Sequence, residues 1–116
     1  MTQSIVIRNI GPTVAISVTA TTSAAVTVSS TSNDQGGFAS FLNTGATVVA
    51  LTLAPGAITA AASVLPAPGA PQTVIMLPAN MVMPVIYATP AIFSVTAIGS
   101  AAGPSLVYIT SVAPQS

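Results

Sequence analysis

Hydrophobic and polar residues alternate with a period of two along much of this chain. In the run from residue 13 to 19, Val14, Ile16 and Val18 alternate with Thr, Ala and Ser residues. Successive side chains of a β-strand point to opposite faces, so this pattern predicts a strand with one face in a core. No segment sustains the 3.6-residue period of an amphipathic helix. The chain is therefore predicted to be all-β.

Turn-forming residues divide the chain into eight to ten short segments of this kind. Turn signals recur about every 8–12 residues, which is typical of a β-sandwich or barrel. We therefore expect one antiparallel β-sandwich or barrel domain over residues 1–116, with short frayed termini. The predicted strands are residues 4–8, 13–19, 25–29, 38–42, 47–53, 72–77, 82–88, 92–98 and 105–112.

Residues 7–20 and 41–54 share Asn, Gly, Thr, Val and Ala at the same spacing, at an offset of 34. Asn and Gly supply backbone angles that other residues resist. The shared pattern predicts one strand–turn–strand arrangement used twice, with turns that begin at Asn9 and Asn43. Chance similarity in a chain rich in Thr, Val and Ala is the alternative.

Four further connections are predicted from residue type. The polar run 29–37 is expected to form an exposed loop, and the Pro-rich run 66–71 a stiff one. Residues 99–104 are expected to form a loop and are a candidate hairpin connection. Residues 58–65 fit either one helical turn or an extended path.

Arg8 and Asp34 are the only charged side chains, although about a quarter of the residues in ordinary soluble domains are charged. Hydrophobic residues make up 52% of the chain. Pro and Gly nevertheless break the apolar runs before they reach the roughly 20 residues of a membrane-spanning helix. Residues 13–33 lack Gly, Pro and charge, but eleven of them are Ser or Thr. We therefore expect no membrane partner.

The composition leaves few groups that could do chemistry. His, Lys, Glu and Cys are absent, and Asp34 lies in a Ser/Asn/Gly stretch where Asp normally stabilises a turn. A role for Asp34 as a lone base or ion ligand is the alternative. Ser and Thr nucleophiles need a neighbouring base, metal sites need several ligands, and nucleic-acid affinity needs many Lys and Arg residues. We predict a non-enzyme with no catalytic, cofactor or metal site, no nucleic-acid partner and no small-molecule substrate.

The lack of charge instead predicts assembly. Charged surfaces keep soluble monomers apart, and Lys and Glu normally guard the edges of β-sheets. Neither residue type is present here, so Pro is the one guard available. We therefore expect an oligomer whose edges and apolar patches are covered by a larger scaffold.

Five residues are candidates for that interface. The side chain of Met makes adaptable apolar contacts, and core packing is the alternative for each Met. The aromatic residues lack the basic groove of a nucleic-acid stacking platform, so most are expected in the core. The candidate interface residues are Met76, Met81, Met83, Tyr87 and Phe38.

Turn and strand patterns between residues 37 and 112 resemble another group of proteins. An apolar-Pro-x-Pro-Gly turn occupies residues 65–69, and an Asn-x-Gly hairpin lies within 41–47. Strand patterns at 73–78, 93–99 and 106–110 complete the set. Together they resemble small virion proteins of tailed bacteriophages, in which Pro is common where this chain has Ser111.

The resemblance implies a capsid decoration (cement) protein that stabilises the phage head through protein–protein interfaces. Its partners would be the major capsid protein and copies of itself, with a homo-trimer as one arrangement. It would lie on the capsid surface of the virion. Synthesis in the host cytoplasm agrees with the expectation that residues 1–8 are not a signal peptide. The alternative is a minor head-fibre, collar or tail component, or a host-surface-binding module of a fibre.

Overall fold

The computed structural model describes residues 7–29, 37–101 and 105–114, and the strands in these ranges form two antiparallel sheets of four. The first sheet has the order β1-β8-β3-β6 and the second β2-β7-β4-β5. The sheets pack face to face, which confirms the predicted antiparallel β-sandwich. The strands are β1 (Ile7–Val18), β2 (Val26–Ser29), β3 (Phe38–Asn43), β4 (Val49–Pro55), β5 (Ile75–Leu77), β6 (Val85–Ala88), β7 (Ile92–Gly99) and β8 (Ser105–Pro114).

The core lies between the inner faces of the two sheets. On β1, Ile16 and Val18 are buried and Val14 packs beside them, whereas Ala15 and Ser17 on the opposite face are exposed. This confirms the orientation that the alternating pattern predicts. The fully buried core side chains include Val28, Phe41, Leu51, Leu77, Phe93, Val95, Val107 and Ile109.

The turn predicted at Asn9 is wrong, because β1 continues through it. The register against β8 pairs Asn9 with Val112 and Thr13 with Thr110, so β1 carries two extra residues between these pairs. Gly and Pro at positions 11 and 12 interrupt a ladder without ending it, and a β-bulge absorbs the extra length. A turn does begin at Asn43, so the two similar segments do not form the same structure.

The candidate hairpin at residues 99–104 is also wrong. Strand β7 pairs with β2 and β4, whereas β8 pairs with β1 and β3, so this connection passes from one sheet to the other. Both strands are buried and each already has two neighbours in its own sheet. Their inner residues, such as Val95 and Val107, face the same core from opposite sides.

Several predicted strands are shorter in the structure. The strands predicted at 72–77 and 82–88 begin only at Ile75 and Val85, and the Pro immediately before Val85 cannot donate to a ladder. Of the C-terminal residues 114–116, which the sequence predicts to fray, Pro114 ends β8 opposite Ile7. Residues 4–6, 30–36, 102–104 and 115–116, which belong to other predicted segments, lie outside the described residues.

The Pro-rich run 66–71 is a loop, as predicted. Ala67 and Ala70 hydrogen-bond to each other through their backbones at 3.1 and 2.8 Å, which closes a tight turn. Gly69 has a φ of 77°, a left-handed conformation that glycine adopts without steric cost.

Residues 57–64, here called the strap, are neither helix nor strand and lie across the outer face of the second sheet. The hydroxyl of Ser63 donates to the carbonyl of Ala50 at 3.1 Å. The hydroxyl of Thr96 donates to the carbonyl of Ala61 at 2.5 Å. These bonds anchor the strap to β4 and β7, so Ala50, Ser94 and Thr96 on the outer face of the second sheet are buried beneath the chain itself.

Replacing Ser94 with alanine is expected to loosen the strap. The Ser94 hydroxyl is fully buried and accepts the N–H groups of Thr59 at 2.9 Å and Ala60 at 2.7 Å. Leaving both donors without an acceptor should lower the free energy of unfolding by about 1–3 kcal/mol. Hydrogen exchange of these two amides should accelerate more than exchange in β7. Thr27→Ala, at the adjacent register position on β2, is the control and should leave both amides protected.

Candidate interaction surface

The outer face of the first sheet carries a group of apolar side chains. In the register of β3, Leu42 lies opposite Tyr108, and Ser40 lies opposite Ile86. Phe38 is on the same face and 39% exposed, while Ile86 is 45% and Leu106 43% exposed. We call Phe38, Leu42, Ile86, Leu106 and Tyr108 the outer patch.

The sequences of β3 and β8 explain why the patch exists. Phe41, Val107 and Ile109 point inward and are buried in the core. Leu42 and Tyr108, which alternate with them, are also apolar or aromatic, whereas Ser40 and Thr110 on the same face are polar. A strand with one solvated face normally alternates apolar with polar residues, whereas apolar residues on both faces are typical of strands covered on both sides.

The two outer faces of the sandwich differ in this respect. The second sheet presents small polar residues, including Thr52, Ser94 and Thr96, and the strap covers them. Within residues 7–29, 37–101 and 105–114, no corresponding segment crosses the outer patch, and three of its side chains are exposed. Met76 and Ile92 also remain exposed on the second sheet, whereas Phe38, Ile86 and Leu106 lie on a face over which the described chain places no such segment.

The patch contains hydroxyl groups but no charge. Thr110 lies beside Ser40 on this face, and its hydroxyl is 2.7 Å from the hydroxyl of Thr13. Only Arg8 and Asp34 are charged in the whole chain, and Arg8 pairs with Ala113, outside the patch, while Asp34 lies outside the described residues. The surface is therefore suited to an apolar protein surface and offers nothing to bind a charged ligand.

Phe38, Tyr87 and Met76, three of the predicted interface residues, lie on different surfaces. Phe38 belongs to the outer patch. Tyr87 lies on neighbouring β6 but pairs with Ala39, so its side chain is on the inner face of the sheet. There its ring packs edge-to-face on the ring of Phe41, with the two ring centroids 5.8 Å apart. Met76 is exposed on β5 in the second sheet.

Met81 and Met83 also separate, although both precede β6. Met81 packs against the core, and its sulfur accepts the backbone N–H of Asn43 at 3.3 Å. Met83 is 73% exposed, and Val82 beside it is almost fully exposed. Met81 therefore has a structural contact, while Met83 and Val82 extend apolar surface toward the strand that carries Ile86.

Sequence reasoning missed most of the outer patch. The sequence pattern places four of its residues in strands but does not predict that they lie on an uncovered face: Leu42, Ile86, Leu106 and Tyr108. The available signal was the run of apolar residues at both odd and even positions from Leu106 to Ile109.

A small cleft opens at the edge of the second sheet, just before β5 begins at Ile75 and beside the continuing β4. Its volume is about 160 Å³, and its lining residues are Leu51, Leu53, Thr73, Val74 and Ile75. Ligand pockets in proteins are typically about 300–1,000 Å³, so this cleft is too small for most organic ligands.

Among the described residues, no helix has the length and apolar character needed to span a membrane. Comparisons of the chain with protein-family models, with curated proteins and with solved structures found no match.

Proposed function

We propose that this protein is a non-enzymatic structural subunit of a virion, and specifically a capsid decoration (cement) protein. In this proposal the outer patch docks on the major capsid protein and adds interface that stabilises the phage head. The observation that carries the proposal is the contrast between the two outer faces. The strap buries Ala50, Ser94 and Thr96 on one face and leaves Met76 and Ile92 exposed there, whereas no such segment of the described chain covers the other face, which exposes Phe38, Ile86 and Leu106.

The chemistry of the patch supports docking on a protein. Burial of apolar surface contributes about 25 cal/mol per Å² removed from water, independently of charge. An interface without ion pairs also depends little on salt, since salt screens charge interactions. Assignment to a virion rests on the resemblance of residues 37–112 to small tailed-phage virion proteins.

Ile86→Lys is expected to reduce binding to undecorated capsids by at least tenfold. The substitution places an unpaired charge where an apolar surface would be desolvated, and tenfold corresponds to about 1.4 kcal/mol. Binding is measured by co-sedimentation of the purified chain with particles that lack it. Ile58→Lys is the matched control, because Ile58 is 73% exposed but lies in the strap. Equal binding by the two variants, or no binding by the wild-type chain, would refute the proposal.

Particles without this protein are expected to release their DNA at a lower temperature than complete particles. They are also expected to release it more readily when the salt concentration is lowered. The physical reason is the loss of interface area between neighbouring capsid subunits. Release of packaged DNA, followed with a fluorescent dye during heating, measures the difference. Re-addition of the purified chain should restore the original transition, and identical transitions with and without it would count against a cement role.

A further inference from the structure

Strand β1 forms an edge of the first sheet and pairs with β8 alone. The backbone N–H of Thr44 donates to the carbonyl of Leu106 at 3.0 Å, so Leu106 bonds toward the β3 side of β8. In an antiparallel ladder, alternate residues bond to opposite neighbours. Val107 and Ile109 therefore bond toward β1, where the register places Ile16 and Val14 opposite them.

The same alternation fixes the backbone groups that face outward. Thr13, Ala15 and Ser17 direct their N–H and C=O groups away from β8, and all three residues are exposed. No backbone partner for these groups is found in the part of the chain that the structure describes. The result is an edge of regular register from Thr13 to Val18, which begins just after the bulge.

This edge lacks the features that normally prevent pairing. Sheet edges are guarded by Lys, Pro, bulges or very short strands. The segment 13–18 contains no charge and no Pro, and its register with β8 is regular. The other edge strands are shorter, with four residues in β2, three in β5 and four in β6.

We propose that β1 pairs antiparallel with β1 of a second copy of this chain, about a two-fold axis at Ala15. Ala15 then lies opposite Ala15 of the partner subunit, and Thr13 lies opposite Ser17 of the partner subunit. The three outward-facing residues of each copy exchange six N–H···O=C hydrogen bonds. The two sheets join into one of eight strands.

The residues of this edge are self-complementary. The side chains that meet on the outer face are Thr, Ala and Ser, which are small and uncharged. A formal net charge of zero leaves no repulsion between copies. On the inner face, half-buried Val14 is placed opposite Ile16 of the partner subunit, which extends the apolar core across the contact. A two-fold contact of this kind closes on itself and gives a dimer rather than a fibre.

The pairing also aligns the outer patches. A two-fold axis perpendicular to the joined sheet keeps the outer faces of both copies on one side. The dimer then presents two patches to one surface, and the second contact forms at a high effective concentration. This consequence rests on the proposed docking function, whereas the dimer itself does not.

Cross-linking tests the register. The chain has no Cys, so Ala15→Cys introduces a single thiol. The Cα atoms of a hydrogen-bonded antiparallel pair are about 5.5 Å apart, which a disulfide can span. Ser17→Cys is the matched control, since it lies on the same face and is also exposed. Its thiols would be four residues apart along the strands, about 13 Å.

Under mild oxidation, Ala15→Cys should form covalent dimers at least tenfold faster than Ser17→Cys. Equal rates would show random collision and would overturn the proposal. In sedimentation of the cysteine-free chains, wild type should dimerise and Ala15→Lys should dissociate at least tenfold more readily, because it places like charges opposite each other. A wild-type chain that stays monomeric would also overturn the proposal. The Ile86→Lys variant should dimerise like the wild type, because Ile86 is not on β1. A failure of docking can therefore be distinguished from a failure of dimerisation.

Discussion

Gly45→Ala is expected to lower the free energy of unfolding by about 3 kcal/mol, the upper part of the range for overpacked sites. A Cβ at position 45 would overlap the side chain of Ser105 and lie 2.5 Å from its Cα. A backbone atom cannot rotate away, so β8 or the turn itself must move. For a domain of this size the midpoint of thermal unfolding should fall by roughly 10–20 °C. Thermal unfolding followed by circular dichroism measures the change.

Gly69→Ala is the control for this substitution. A Cβ there has nothing within 4 Å, and only the φ of 77° opposes a side chain. The expected cost is about 1–2 kcal/mol, that of a left-handed conformation alone. If Gly45→Ala were no more destabilising than Gly69→Ala, the close approach between the turn and β8 would not exist.

Asn43→Ala is expected to lower the free energy of unfolding by about 2–4 kcal/mol, since three backbone groups lose their partners. The buried Asn43 amide donates to the carbonyls of Thr47 at 2.8 Å and Pro78 at 3.0 Å, and its oxygen accepts the N–H of Gly45 at 3.0 Å. Chemical denaturation gives the difference. Asn9→Ala, at the equivalent position of the similar segment, is exposed and should change stability by about 0.5 kcal/mol or less. Equal effects at the two positions would contradict the structure.

The turn that contains Asn43 and Gly45 also positions the outer patch. The carbonyl of Gly45 accepts the N–H of Asn80 at 2.8 Å, and the carbonyl of Asn43 accepts the N–H of Met81 at 2.9 Å. These bonds hold the segment that leads into β6. Since β6 carries Ile86, the stability of this turn and the placement of the patch are connected.

Strand content and the inner face of β1 could be predicted because both depend on local alternation. The β-bulge could not be distinguished from a turn, because Asn, Gly and Pro favour both. The difference lies in β8, which continues beside β1 on both sides of the bulge, from Ser105 to Pro114. Such long-range pairing leaves no mark on residues 9–12 themselves.

The strap could not be predicted for a similar reason. Its Ala-rich sequence fits a helical turn or an extended path, and its hydrogen-bond partners on β7 lie 34 and 35 residues away. Ile58 at its start has a φ of 56°, which β-branched residues rarely adopt. No local preference predicts that conformation, so tertiary contacts must impose it.

The candidate interface was predicted from residue type, and of the five residues only Phe38 lies in the outer patch. Met81 packs against the core, where its sulfur accepts the N–H of Asn43. Tyr87 points away from the outer patch because the register of β6 with β3 places it opposite Ala39. Which apolar residues remain exposed depends on which sheet the strap covers. That information is absent from composition and periodicity.

Electron cryomicroscopy of intact particles that carry this chain tests the central claim most directly. The proposal predicts density for the sandwich on the capsid, with Ile86 and Leu106 of the outer patch in van der Waals contact with major capsid subunits. An outer patch that faces solvent on the particle would contradict it.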